Sequence, residues 1–397
     1  SQYSTKSVAH TLKWYSHYTF DYPYPIAWSI DGSMGMEYPM ICFNYGRCED
    51  DNTYSKRTKY GHIGVIIHEV GHNWFPMIVN SDERQWTWMD EGLNSYVQYL
   101  AEQQWERNYP FRRGPARNIT NYMGGDKDKI VPIMSNSEAI PQFGNNAYGK
   151  PATALNILRE TVMGRELFDH AFREYSNRWR FKNPEPADLF RTIEDASGTD
   201  LDWFWRGWFY TTDHVDQELE NVEWYNVSSN NPEVEKAAAK ASKPRPDIGW
   251  ERNEKEIAKT YDEEDSSLKD FYTTYDPLDV TNAEKRDYKK YFESLSEEER
   301  EVLGSGDHFY ELKFKNNGGL VMPVIIEFVY DDGSSEITRI PAEVWRRNAK
   351  GITKVFRTDK KVVKFNLDPY QEIADTDISN NVYPREEEIG RASCRER

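Results

Sequence analysis

Two histidines four residues apart constrain the fold of this chain more than any other feature. They begin and end the stretch H-E-V-G-H, at His68 and His72. Residues four apart share one face of an α-helix, so both imidazoles can point at a single metal ion. Glu69 lies about 100° around such a helix, where it can reach a water beside the metal without ligating the metal itself. The pattern therefore predicts a helix, over residues 61–78, that carries two zinc ligands.

The third ligand must come from another element, because catalytic zinc keeps three protein ligands and one open position. Glu91 is the candidate: eighteen residues separate it from His72, and it begins a second predicted helix that ends near Trp105. The helix macrodipole favours a carboxylate at that position. Asp90 either orients a ligand or caps the helix. We therefore expect one zinc ion per chain on His68, His72 and Glu91; the alternative is a chance pattern of two surface histidines.

These residues resemble the aminopeptidase N-like gluzincins, zinc aminopeptidases whose signature is H-E-x-x-H, eighteen residues and Glu. The flanks agree, since H-N-W-F runs from His72 to Phe75 and Gly92 follows Glu91. The resemblance covers about residues 10–215. It implies a thermolysin-like α+β catalytic domain, mostly helical, in which Glu69 is the general base.

A second signature of that family, G-x-M-E-N, precedes the zinc helix. Here Met34-Gly35-Met36-Glu37-Tyr38 occupies its place, with Met34 for the first glycine and Tyr38 for the asparagine. In the family the glutamate binds the free α-amino group of the substrate. The resemblance therefore implies a substrate-binding role for Glu37, with Gly35 and Met36 as neighbouring substrate contacts.

A third signature, Tyr-x-Lys before a helix, is found at Tyr148-Gly149-Lys150. In the family this tyrosine donates a hydrogen bond to the oxyanion that develops during peptide hydrolysis. Without the other two signatures, a tyrosine before a helix would be read as ordinary packing. With them, Tyr148 is expected to stabilise the oxyanion.

The chain is predicted to contain more than one domain. Residues 1–218 are expected to form the catalytic domain, and the resemblance implies that the large N-terminal β-domain of relatives is missing before it. Residues 219–384 alternate with period two in their later part and predict a small all-β sandwich, with a charged, partly helical insertion at about 229–305. Residues 385–397 are expected to be non-native or disordered, because the last nine resemble a translated sequencing adapter; a natural basic tail is the alternative.

The bulk composition excludes some partners. The formal net charge of this chain is -17, so its surface repels phosphate backbones and nucleic acid is not expected to bind. No stretch approaches the roughly 18 apolar residues that span a bilayer. The sequence leaves the compartment open, with a slight preference for an extracytoplasmic one, and it leaves the oligomeric state open.

The expected activity is zinc-dependent release of amino-terminal residues from peptides that carry a free amino terminus. Glu69 would accept a proton from the attacking water and return it to the leaving amine. Two alternatives stay open. One is an endopeptidase on the same scaffold, and the other is a peptide-binding fragment of weak activity that lacks the N-terminal domain.

Overall fold

The computed structural model describes residues 2–46, 48–242 and 245–385, and helices account for about half of them. The α-helices, in chain order, are α1 Ser4–Tyr18, α2 Lys56–Gly71, α3 Leu93–Trp105, α4 Thr120–Met123, α5 Lys150–Ile157, α6 Arg165–Arg178, α7 Pro186–Ser197, α8 Asp202–Tyr210, α9 Pro232–Ala241, α10 Ile248–Glu256, α11 Tyr261–Glu264, α12 Phe271–Thr274, α13 Asn282–Ser294 and α14 Glu297–Ser305. The strands are β1 Trp28–Asp31, β2 Met36–Tyr38, β3 Ile41–Asn44, β4 Gln217–Asn226, β5 His308–Asn316, β6 Val324–Tyr330, β7 Ser335–Ile340, β8 Gly351–Thr358, β9 Val362–Leu367 and β10 Val382–Tyr383.

The described strands form small sheets with the orders β1-β3-β2, β4-β5-β8 and β10-β9-β6-β7. In the first sheet β3 runs parallel to β1 and antiparallel to β2. In the last sheet β6 pairs antiparallel with both β7 and β9. A largely helical region followed by mostly antiparallel strands agrees with the predicted α+β class. The packing of the late strands as a sandwich stays a prediction.

Two compact units make up the chain. One comprises the described parts of 1–222, 312–354 and 362–397, and the other comprises 223–311 and 355–361. The predicted domain boundaries stay predictions, and residues 386–397 of the predicted tail lie outside the described residues. Of the helices in the described part of the chain, none combines the length and apolarity needed to cross a bilayer.

The helices α9 to α14 belong to the second unit and coincide with the predicted insertion. As far as they are described, none of their side chains is buried. Ion pairs join α9 to α13, with Lys236 2.8 Å from Glu284 and Lys285 2.7 Å from Glu233. Exposed ion pairs of this kind contribute little to stability, so this stretch stabilises itself weakly.

The helix that carries the H-E-x-x-H stretch differs from its prediction at both ends. It begins five residues earlier, where the Ser55 side chain accepts a hydrogen bond from the Thr58 amide at 3.0 Å and caps the helix. It ends at Gly71 and passes into a π-helical turn in which Phe75 is not helical, with φ -132° and ψ 113°. Pro76 explains the break, because a proline disfavours helical backbone at the residue before it.

A glycine on α2 lets three helices meet beside the predicted metal site. A Cβ on Gly71 would lie 2.3 Å from Tyr15 Oη and 2.4 Å from Asn94 Oδ1. The hydroxyl of Tyr15, on α1, donates to Asn94 Oδ1 at 2.8 Å, and Asn94 Nδ2, on α3, donates to the carbonyl of His68 at 2.8 Å. The backbone of the metal-binding helix is therefore tied to both neighbouring helices.

Candidate active site

The structure brings the three predicted metal ligands together. His68 lies in the last turn of α2, His72 follows directly after that helix, and Glu91 lies in a π-helical turn that leads into α3. The two Nε2 atoms are 3.1 Å apart, and Glu91 Oε2 lies 3.0 Å from His68 Nε2 and 3.4 Å from His72 Nε2. Ligands bound at about 2.1 Å to a tetrahedral zinc ion are separated by about 3.4 Å, so this donor set fits zinc.

The two imidazole rings are oriented for metal binding by their other nitrogens. His68 Nδ1 donates to Gln98 Oε1 at 2.9 Å, and His72 Nδ1 donates to the carbonyl of Phe75 at 2.8 Å. With protons on Nδ1, both Nε2 lone pairs face each other and the Glu91 carboxylate. Lone pairs this close repel one another, and a positive charge between them, either a metal ion or a proton on one of the rings, removes the repulsion.

Asp90 adds a carboxylate behind His72. Its Oδ1 lies 2.9 Å from His72 Nδ1, and both side chains are buried. Burial by itself lowers the pKa of His72, but the carboxylates of Asp90 and Glu91 outweigh it and raise that pKa well above its usual value. Of the two roles considered for Asp90, this contact supports ligand orientation, since no side chain caps α3.

Glu69 lies against the backbone of the strand region before the helix. A Cβ on Gly35 would lie 2.2 Å from Glu69 Oε1, so any larger residue there would displace the carboxylate. The Glu69 side chain is buried, and burial raises its pKa to about 8, with Glu37 and Glu91 acting in the same direction and His72 opposing them. A carboxylate with a raised pKa is suited to accept and return a proton near neutral pH.

Glu37 faces the same site from β2. It pairs with Cys42 on β3, and Cys42 packs against α2 with Val65. Carboxylate oxygens of Glu37 and Glu69 and a ring nitrogen of His72 all lie within 4.8 Å of one another.

Met36 lies on the other face of β2. Because side chains alternate along a strand, the side chains of Met36 and Tyr38 point away from the face that carries Glu37, and Tyr38 is exposed. The substrate contacts expected of Met36 and Gly35 stay a prediction.

Tyr148 approaches the centre from a third element. It lies in the π-helical turn Gly144–Gly149, directly before α5, and its hydroxyl donates to Glu91 Oε1 at 2.6 Å. Its ring stacks on His68 at a centroid separation of 5.8 Å, and the Arg113 guanidinium lies 4.2 Å from the ring centroid. Burial and the Glu91 carboxylate raise the pKa of Tyr148, so its hydroxyl stays protonated and able to donate.

The turn that carries Glu91 and the turn that carries Tyr148 approach each other closely at Gly92. A Cβ on Gly92 would lie 2.5 Å from Pro151 Cγ and 2.9 Å from the carbonyl oxygen of Ala147. A glycine after Glu91 therefore lets the two turns contact each other.

The last residue of the Tyr-x-Lys signature is structural, because Lys150 is 1% exposed and its Nζ donates to the carbonyl of Thr211 at 3.3 Å.

The family model described as "Peptidase family M1 domain" matches residues 3–208 of this chain. The chain belongs to peptidase family M1. The predicted resemblance to the zinc aminopeptidases of this family is thereby confirmed. The match covers the region in which His68, His72, Glu91 and Tyr148 converge.

The curated relatives match this chain over part of their length. Glutamyl aminopeptidase of Sus scrofa is 23% identical over 210 residues, which are 51% of this chain and 22% of that protein. A probable aminopeptidase 1 of Sulfurisphaera tokodaii is 26% identical over 200 residues, 47% of this chain and 25% of that protein. The chain thus spans about a quarter of the length of these relatives.

A solved structure shares the fold. The crystal structure of Legionella pneumophila aminopeptidase A in complex with aspartic acid superposes with a TM-score of 0.55 at 12% identity. The match covers 94% of this chain and 34% of the Legionella chain. At this identity the likeness concerns the fold of this M1 chain and not its substrate.

Sequence reasoning missed several residues that surround the site in this M1 chain. The largest group lies on α3, where Asn94, Gln98 and Glu102 follow Glu91 by 3, 7 and 11 positions. These intervals match one face of a helix, so the spacing from Glu91 was a signal that could have found them. Arg113, by contrast, reaches Tyr148 from a loop, and no local pattern marks it.

Proposed function

We propose that this chain binds one zinc ion through His68, His72 and Glu91 and hydrolyses the first peptide bond of peptides with a free amino terminus. The observation that carries the proposal is the convergence of the three donor atoms within 3.4 Å. When bound, zinc supplies a Lewis acid that polarises the scissile carbonyl and lowers the pKa of water. Family membership supports the same reaction class.

The chain's own residues account for the proton transfers. Glu69 is held against Gly35 beside the ligands, where it would take a proton from the attacking water and return it to the leaving amine. The Tyr148 hydroxyl, 2.6 Å from Glu91 Oε1, would turn its hydrogen bond to the oxyanion as negative charge develops there. The Glu69 side chain is buried and Tyr148 is half-buried, and removal from water strengthens such interactions.

Measurements of metal content and of hydrolysis test this proposal together. We expect one zinc ion per chain after dialysis, and hydrolysis of amino-acid amides but not of their N-acetylated counterparts. His72→Ala should lose the zinc, whereas His170→Ala, a matched change of an exposed histidine on α6, should keep it. A wild-type chain without bound zinc would refute the proposal, and equal hydrolysis of acetylated peptides would favour an endopeptidase.

Glu37→Ala is expected to raise KM and lower kcat for substrates with a free amino terminus. The reason is electrostatic: the Glu37 carboxylate faces Glu69 and His72, where it would pair with the substrate ammonium. Any hydrolysis of acetylated peptides should hardly change, because they carry no charge for Glu37 to bind. Glu37→Gln, which keeps the size and removes the charge, should resemble Glu37→Ala. Equal losses on free and acetylated substrates would instead make Glu37 a structural residue.

A further inference from the structure

A chain of half-buried hydrogen bonds leads from His68, the first proposed metal ligand, into α3. His68 Nδ1 donates to Gln98 Oε1 at 2.9 Å, and Gln98 Nε2 donates to Glu102 Oε1 at 2.8 Å. Gln98 Nε2 also lies 3.2 Å from the carbonyl oxygen of Gly64, on α2. We propose that Gln98 and Glu102 are positioning residues that set the ring orientation and tautomer of His68, an inference that rests on the proposed zinc site.

The direction of the Gln98 amide follows from its two acceptors. Glu102 Oε1 and the Gly64 carbonyl oxygen both accept hydrogen bonds, so the group between them must be the NH₂ end of the amide. The carbonyl end of Gln98 then faces His68, and an acceptor there requires the proton of the ring on Nδ1. His68 Nε2 consequently keeps its lone pair for a metal ion.

A competing contact from Asn94 shows why the Gln98 amide is needed. Asn94 Nδ2 lies 3.2 Å from His68 Nδ1, and a donor at that position favours the tautomer with its proton on Nε2, which leaves no Nε2 lone pair for a metal ion. The main bond of Asn94 Nδ2 goes to the His68 carbonyl at 2.8 Å. Without Gln98, the second hydrogen of the Asn94 amide could bond to His68 Nδ1. The ring would then carry its proton on Nε2, which is the unproductive tautomer.

Glu102 has its place because a glycine leaves room for it. A Cβ on Gly64 would lie 3.2 Å from Glu102 Oε1 and 3.6 Å from Gln98 Nε2. Gln98 and Glu102 are four residues apart and share one face of α3, which is the face that carries the bonds to α2. Glu102 is 6% exposed, so its hydrogen bond to Gln98 is shielded from water.

The test compares zinc affinities measured by chelator competition, with circular dichroism of the zinc-free chain as a check on folding. Gln98→Leu removes the acceptor and should weaken zinc binding about 10- to 100-fold, the usual effect of losing such a partner. Gln104→Leu, an exposed change on the same helix, is the matched control and should bind zinc as the wild type does.

A charge swap separates positioning from mere packing. Gln98→Glu alone would place a half-buried carboxylate about 2.8 Å from the buried carboxylate of Glu102 and should weaken zinc binding through their repulsion. The double variant Gln98→Glu/Glu102→Gln restores a donor between the two side chains and an acceptor for His68, so its affinity should return to the wild-type range. A double variant that binds zinc no more tightly than Gln98→Glu would overturn the proposal. This comparison remains decisive even if Gln98→Leu does not fold.

Failure of this inference is distinguishable from failure of the proposed function. A wild-type chain that binds no zinc would overturn both. A wild-type chain that binds zinc, next to a folded Gln98→Leu variant of equal affinity, would overturn the positioning role of Gln98 alone.

Discussion

Glu69→Gln is expected to lower kcat at least about 100-fold while the chain keeps its zinc. Glutamine has the size of glutamate and fits the space between the helix and Gly35, where a carboxylate oxygen now lies. It cannot accept the proton of an attacking water, so the general base is lost. The three proposed ligands lie on other residues and keep their mutual distances of 3.0 to 3.4 Å.

The measurement pairs steady-state kinetics on an amino-acid amide with zinc content determined on the same preparation. Glu106→Gln, an exposed change just after α3, is the control and should retain both activity and zinc. Loss of zinc together with activity in Glu69→Gln would mean that Glu69 supports the metal itself. Unchanged kcat would remove it from the mechanism.

Tyr148→Phe should cost roughly 3–4 kcal/mol in transition-state stabilisation, a loss of about 10²- to 10³-fold in kcat. Phenylalanine keeps the ring that stacks on His68 and lies under the Arg113 guanidinium, so the geometry of the site is preserved. The change removes the hydroxyl, which now donates to Glu91 Oε1 at 2.6 Å. KM should barely change, because the hydrogen bond to the oxyanion forms in the transition state.

Zinc content must be checked in this variant too, since the lost hydroxyl also contacts a proposed ligand. Tyr175→Phe removes a buried tyrosine hydroxyl from α6, away from the site, and should leave kcat unchanged. If Tyr148→Phe keeps the wild-type kcat, the hydroxyl serves Glu91 alone and the oxyanion is stabilised without it.

Local patterns in the sequence were sufficient for the elements that carry the site. A period of 3.6 residues placed His68 and His72 on one helical face, and the structure has both at the end of α2. The predicted helix is wrong at Phe75 for an equally local reason, because Pro76 disfavours helical backbone at the residue before it.

By itself, the sequence determined which residue types are available to bind a metal and at what spacing along the helices, because helical geometry is a property of neighbouring residues. The tertiary structure alone decided which distant groups complete the site. Tyr148 meets Glu91 because Gly92 has no side chain, and Gln98 orients His68 because Gly64 leaves space beside Glu102. Such contacts depend on how separate helices pack, and no spacing along the chain encodes the distance between them.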